Sequence, residues 1–140
     1  MFCDDAEIVV VAFGAASRIA RTAVRDARAK GIKVGLLRPI TLWPFPTKAI
    51  DQVIANGAKQ FLSVELNMGQ MVEDVRLAAN GRAEVSFYGR TGGVLPTPEE
   101  VLVQIEKLAG AADADASAAG EAAGVLPHPI ERKNAYERGE

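Results

Sequence analysis

A chain of 140 residues, 49% hydrophobic and 24% charged, has the size and composition of one globular domain with a real core. Sixteen Lys and Arg against eighteen Asp and Glu leave a formal net charge of −2, a balance that points to neither nucleic acid nor a membrane surface. Cys3 and His128 are the only residues of their types, which excludes an internal disulfide and an iron–sulfur cluster ligated by this chain's own cysteines, and argues against a zinc site.

No apolar run approaches the roughly 20 residues that span a bilayer. The start, Met1-Phe-Cys-Asp-Asp5, is acidic where a secretory leader would be basic. The expectation is a cytoplasmic protein. Residues 7–13 form a continuous β-branched run that reads as a central strand, and Gly14 ends it. Ser17 is a candidate N-cap for the helix that follows. Ile19, Ala20, Ala23, Val24 and Ala27 fall on one stripe of that helix, and Arg18, Arg21, Arg25 and Arg28 on the opposite one. The arginine stripe fits either a solvated face, the commoner case, or a dock for an acidic partner or a phosphate.

Residues 33–38 read as the second strand, and Pro39 ends its ladder because it has no amide hydrogen to give. Pro39, Pro44 and Pro46, interleaved with Leu42, Trp43 and Phe45, predict a stiff apolar loop at the carboxyl end of that strand. Trp43 and Phe45 fit either a cover for the end of the core or a contact with another chain or domain. A helix is predicted from about residue 47 to 55, stopped by Asn56 and Gly57.

The third strand, residues 60–66, ends abruptly in Glu65, Asn67, Gly69 and Gln70. In open α/β sheets ligands and partners are met beyond the carboxyl ends of the strands, so this cluster is the first place to look for function. Glu65 is expected to be structural rather than an acid–base group: its sequence neighbours are amides, and Arg38 at another strand end would hold it as an anion. Residues 70–79 predict a helix with Met71, Val72, Val75, Ala78 and Ala79 inward; Met68 and Met71 read as packing residues. Residues 83–88 alternate like a strand nearer a sheet edge.

The loop after that strand, residues 89–93, is rich in glycine, but its spacing matches neither a P-loop nor the dinucleotide fingerprint. Thr97, Pro98, Glu99 and Glu100 are a strong helix start, followed by inward Val101, Leu102, Ile105 and Leu108. The expected division is a folded domain over residues 1–109, a flexible Ala/Gly-rich linker over 110–124 and a tail over 125–140 that is disordered or lies on a partner. Strand–helix alternation predicts a three-layer α/β/α sandwich with a mostly parallel sheet.

Four loop segments carry a resemblance: Val10-Val-Ala-Phe-Gly14; Leu36-Leu-Arg-Pro39 with Leu42-Trp-Pro-Phe-Pro46; Val64-Glu-Leu-Asn-Met-Gly-Gln70; and Tyr88-Gly-Arg-Thr-Gly-Gly93 with Pro96-Thr-Pro-Glu-Glu100. In order and spacing, over residues 6–108, the chain resembles the C-terminal, transketolase C-terminal-like domain of the alpha subunit of 2-oxoacid:ferredoxin oxidoreductases. Residues 88–100 are most similar to the 2-oxoisovalerate type. Such enzymes decarboxylate a 2-oxoacid oxidatively, make an acyl-CoA and reduce ferredoxin.

The resemblance implies a domain that packs and contacts subunits and holds no catalytic, cofactor or metal residue of its own. Thiamine diphosphate, magnesium and iron–sulfur clusters are then expected on other domains or subunits, which are the implied partners in an oligomer; ferredoxin and CoA act at the level of the complex. The upstream pyrimidine-binding domain and an antiparallel strand that usually precedes the first strand are not apparent in the sequence. The expected partner-facing surface is Arg38, Trp43, Glu65, Asn67, Gln70 and Arg90. A different class of reading is a free-standing module that binds a small ligand or nucleotide at the loops after Gly14 and Gly89.

Overall fold

The computed structural model describes residues 1–121, with side chains as far as residue 111. Strands β1 (Ile8–Ala12), β2 (Val34–Leu37), β3 (Gln60–Glu65) and β4 (Glu84–Gly89) alternate with helices α1 (Gly14–Ala29), α2 (Thr47–Ala55), α3 (Met71–Ala79) and α4 (Pro98–Glu121). The strands form one sheet in the order β2-β1-β3-β4, and every pairing is parallel. Parallel neighbours require crossovers, and the helices supply them while covering both faces.

Side-chain alternation divides the core. Ile8, Val10, Ala12, Leu62 and Val64 pack under α1 and α4, whereas Val9, Val11 and Phe61 pack under α2 and α3. Phe61 is the largest fully buried side chain, and truncating such a residue to Ala typically costs about 3–5 kcal/mol. The inward stripe of α1 is Ala16, Ser17, Ala20, Ala23, Val24 and Ala27, small residues that let the helix approach the sheet closely.

The connections from β1 and β3 leave in opposite directions, because β2 and β4 lie on opposite outer sides of this central pair. That divergence opens a crevice at the carboxyl edge, and the functional loops surround it. At the outer edge of β2, the Met1 amino group donates to the Leu36 carbonyl (3.0 Å) and the Leu36 amide donates to the Met1 carbonyl (2.8 Å). This reciprocal exchange is the local signature of an antiparallel pair, in the setting where the resemblance implies an antiparallel strand. Arg28 holds the same arm through Asp5, the Phe2 carbonyl and the face of the Phe2 ring.

Two sequence expectations change. Ser17 does not cap α1: the helix begins three residues earlier, and the Ser17 hydroxyl donates to the Gly14 carbonyl at 2.6 Å from a buried position inside the first turns. The predicted linker does not start at Gly110, since α4 continues to Glu121. Alanine is the strongest helix former, so a segment without large apolar residues can extend an existing helix that has already nucleated. The rest of the linker and the tail over 125–140 lie outside the described residues.

Candidate functional site

Glu65 is the last residue of β3 and shares a strand face with Phe61 and Ser63, because side chains alternate along a strand. That face lies against α2 and α3, which places the carboxylate beneath the start of α3. Its Oε2 accepts from the amides of Gln70 (3.0 Å) and Met71 (2.8 Å), and its Oε1 accepts from the Val72 amide (2.8 Å) and the Ser63 hydroxyl (2.9 Å). Three amides at the helix start, which have no partner within the helix, are thereby satisfied by one anion at the positive end of the helix dipole. Asn67 adds an Asx turn, its Oδ1 accepting from the amides of Gly69 (2.7 Å) and Gln70 (3.2 Å).

The carboxylate is a clamp, but not with Arg38. Arg38 follows β2, and β1 stands between β2 and β3, so the two residues end strands that are not neighbours. Among the described residues no ion pair involves Arg38. Glu65 itself is only 4% exposed, which corrects its place on the expected partner-facing surface. Its burial is tolerated because four donors surround the carboxyl oxygens.

The other expected surface residues do lie beyond the carboxyl ends of the strands. Arg38 and Gln70 are exposed, Asn67 is half-buried, and Arg90 is exposed and paired with Glu100 at the start of α4. Trp43 is 87% exposed, whereas Phe45 packs against the core under α2 and α3. The two aromatics of the proline-rich loop therefore divide the two roles open to them: Phe45 covers the core and Trp43 does not.

A cleft of about 300 Å³ lies between the ends of β1 and β3, walled by Phe13, Gly14, Leu42, Leu66, Asn67 and Gln70. Its walls are mostly apolar. Glu65 is the one titratable residue among those lining it, and both of its oxygens are already engaged. A general acid or base needs a free lone pair or proton within reach of a reactant, and this arrangement offers none. Gly89 does not line the cleft, and an added Cβ there would lie 2.5 Å from the Asn67 carbonyl oxygen and 2.4 Å from Phe87.

Several residues of this edge were not anticipated. Ser63 could have been found from its spacing, since it lies two residues before Glu65 on the same strand face. Met68 was expected to pack and instead is 82% exposed, whereas Met71 is buried as expected; Ile40 (89% exposed) and the partly exposed Phe13 and Leu66 carry no such signal, because an apolar residue beside a strand reads as core. Cys3 is the chain's one thiol and lies against the Leu36 carbonyl, and the described residues contain no group of three or more His, Cys, Asp or Glu side chains placed to hold a metal ion.

Residues 6–101 match the family described as pyruvate:ferredoxin oxidoreductase core domain II. The chain belongs to this family. As a core domain II it is 53% identical over 107 residues to the ketoisovalerate oxidoreductase subunit VorB of Methanothermobacter thermautotrophicus, an alignment covering 76% of this chain and 30% of that subunit. It is 41% identical over 102 residues to the 2-oxoglutarate synthase subunit KorA of Methanothermobacter marburgensis, covering 73% of this chain and 27% of KorA. The chain thus spans about 30% of the length of the curated relatives it matches.

Among solved structures, the 2-oxoglutarate:ferredoxin oxidoreductase from Magnetococcus marinus, with 2-oxoglutarate, coenzyme A and succinyl-CoA bound, superposes with a TM-score of 0.65 at 26% identity, covering 74% of this chain and 18% of that one. A split-gene transketolase, an inactive beta4 tetramer, superposes with a TM-score of 0.61 at 17% identity, covering 72% and 37%, which is a likeness of fold. Both agree with an α/β/α sandwich of the transketolase C-terminal type. No helix among the described residues is long and apolar enough to cross a membrane.

Proposed function

We propose that this core domain II is a non-catalytic packing and subunit-contact part of a thiamine-diphosphate-dependent 2-oxoacid:ferredoxin oxidoreductase of the 2-oxoisovalerate type. The 53% identity to a ketoisovalerate oxidoreductase subunit carries the reading. The complex would decarboxylate a 2-oxoacid, pass the acyl group to CoA and reduce ferredoxin, with thiamine diphosphate, magnesium and iron–sulfur clusters held by other domains or subunits. Arg38, Trp43, Asn67, Gln70 and Arg90 are its partner-facing residues. What supports this is their common place beyond the strand ends, together with a buried carboxylate that serves the fold and not a reactant.

A ligand-binding module would use the loops after Gly14 and Gly89 together. These follow β1 and β4, which β3 separates, and the cleft reaches the first alone. The test is co-expression of the chain with the thiamine-binding and iron–sulfur subunits of its own source. Recovery in one complex is expected, with loss of recovery when Trp43 and Arg38 are both changed to Asp. In the assembled complex Glu65→Gln should lower thermal stability while leaving turnover per complex nearly intact; a normally assembled complex slowed about 100-fold would make Glu65 an acid–base group and sink the non-catalytic reading.

A further inference from the structure

We propose that the half of the carboxyl edge carried by β1 and β2 docks an acidic protein surface with an apolar hollow that receives Trp43. This rests on the subunit-contact reading above and adds the chemistry of the partner and the residue that anchors it.

The anchor is preorganised. Trp43 and Ile40 are the two most exposed large hydrophobic residues among those described, at 87% and 89%, and Leu42 and Phe13 extend the apolar surface inward toward the cleft. The loop bearing them is held at both ends: Pro39 is buried at one, and at the other Phe45 packs into the core while its carbonyl accepts from the Thr47 amide at 2.8 Å. Prolines at 39, 44 and 46 restrict the backbone between. An aromatic presented on so stiff a loop loses little freedom on docking, the condition under which a tryptophan dominates an interface.

Charge supplies the partner's sign. Neither α1 nor α2 has a side-chain cap or an acidic residue in its first turn, and both begin on this half of the edge. Arg18, Arg38 and Lys48 lie beside these helix starts, all exposed and none in an ion pair among the described residues. On the β3–β4 half the corresponding charges are answered within the chain: Glu65, Glu73 and Asp74 at α3, Glu99 and Glu100 at α4, and Arg90 paired with Glu100. The edge is therefore positive and apolar on one side and internally neutralised on the other. Nucleic acid fits less well, because the most exposed groups are apolar and the chain's net charge is −2.

Binding of the chain to the subunits of its own 2-oxoisovalerate-type oxidoreductase, measured at low and high salt, tests this. Trp43→Ala is expected to weaken affinity by about 30-fold or more, as for a desolvated aromatic anchor. Arg38→Glu combined with Lys48→Glu should slow association about tenfold and remove most of its salt dependence, whereas Glu73→Lys with Glu99→Lys should change neither appreciably. All these positions are exposed, and unchanged unfolding midpoints would verify that the variants fold. If the wild type binds and Trp43→Ala binds as tightly, this inference falls and the subunit-contact reading stands; if the wild type binds no subunit, both fall. A dimer of the chain alone that Trp43→Ala dissolves, or a single-stranded oligonucleotide complex lost on the double charge reversal, would assign the surface to another occupant and overturn the proposal.

Discussion

Two helices begin side by side at the carboxyl edge, α1 after β1 and α3 after β3, and they are finished in opposite ways. At α3 a buried glutamate and an asparagine gather the amides of residues 69–72, and a serine hydroxyl donates to the glutamate, so the turn is held together from within the chain. At α1 no side chain caps the first amides, Phe13 is partly exposed, and the neighbouring proline-rich loop projects Trp43. The difference separates two uses of the same edge. Polar groups satisfied inside the chain hold a loop in place; amides and cations left without partners mark where the chain is open to contact.

The largest effect that can break this contrast is at Glu65. Glu65→Ala removes an anion from four donors and should destabilise the chain by about 3 kcal/mol, or roughly 10–20 °C in Tm for a domain of this size. Glu65→Gln, which keeps the shape but turns a donor toward the amides, should lose about half as much. Chemical unfolding at neutral pH measures both; a loss of under about 1 kcal/mol for Glu65→Ala would mean that α3 does not depend on its clamp. Next come the two glycines flanking the contrast. An alanine Cβ at position 89 would meet the Asn67 carbonyl oxygen at 2.5 Å, whereas at position 14 it would meet nothing within 4 Å but would have to adopt a φ of +57°. Gly89→Ala is expected to cost about 2 kcal/mol by crowding, and Gly14→Ala about 1 kcal/mol by backbone strain. Amide exchange should quicken at Gly69 and Gln70 in the first variant and not in the second.

A smaller effect concerns pH. Asp5 is held below its usual 3.8 by its hydrogen bonds to Arg28, and Glu7 below its usual 4.5 by its hydrogen bond to Lys33. Glu99 is lowered by its own backbone amide and then by Thr97. A carboxyl whose folded value is depressed stabilises the fold above its unfolded value and loses that contribution as pH falls through the folded one. Stability from these groups should therefore be flat from neutral pH down to about 5 and decline below it, shallowly, since the groups are exposed and screened. Thermal unfolding followed from pH 7 to pH 3 checks this, and Asp5→Asn should flatten part of the decline; an unchanged slope would remove the N-terminal arm from the account.

Much of the fold was legible, because each element carries its own period: β-branched runs for strands, three-to-four spacing for helices, and Thr97-Pro-Glu-Glu100 for the start of α4. Strand order was not. Residues that end successive strands are neighbours only if the strands are, and β1 intervening between β2 and β3 is what separates Arg38 from Glu65. The site was legible in location, since polar residues after a parallel strand must gather at one edge, but not in direction. Whether Glu65 faces out or beneath a helix depends on which face of β3 that helix covers, and a hydrophobic pattern around one residue does not encode it. The exposure of Trp43 beside the partly buried Phe45 is a similar case: both are aromatics between prolines, and only the three-dimensional course of the loop tells them apart.

The smallest expected effect sharpens the contrast most directly. Ser17 has the residue type and position of an N-cap in the sequence, and caps replaced by alanine typically cost about 1 kcal/mol because a helix amide loses its acceptor. Here Ser17 is a donor: its hydroxyl bonds the Gly14 carbonyl one turn back, an oxygen with a second lone pair available to the helix ladder. Removing the hydroxyl leaves no amide without a partner, and alanine restores helix propensity and fits among Ala16, Ala20 and Ala23. Ser17→Ala should thus change stability by less than about 0.5 kcal/mol in either direction. Chemical unfolding resolves that from the loss of a cap, and a cost near 1 kcal/mol would show that α1 is closed by its own side chains after all, which would remove the difference between its start and that of α3.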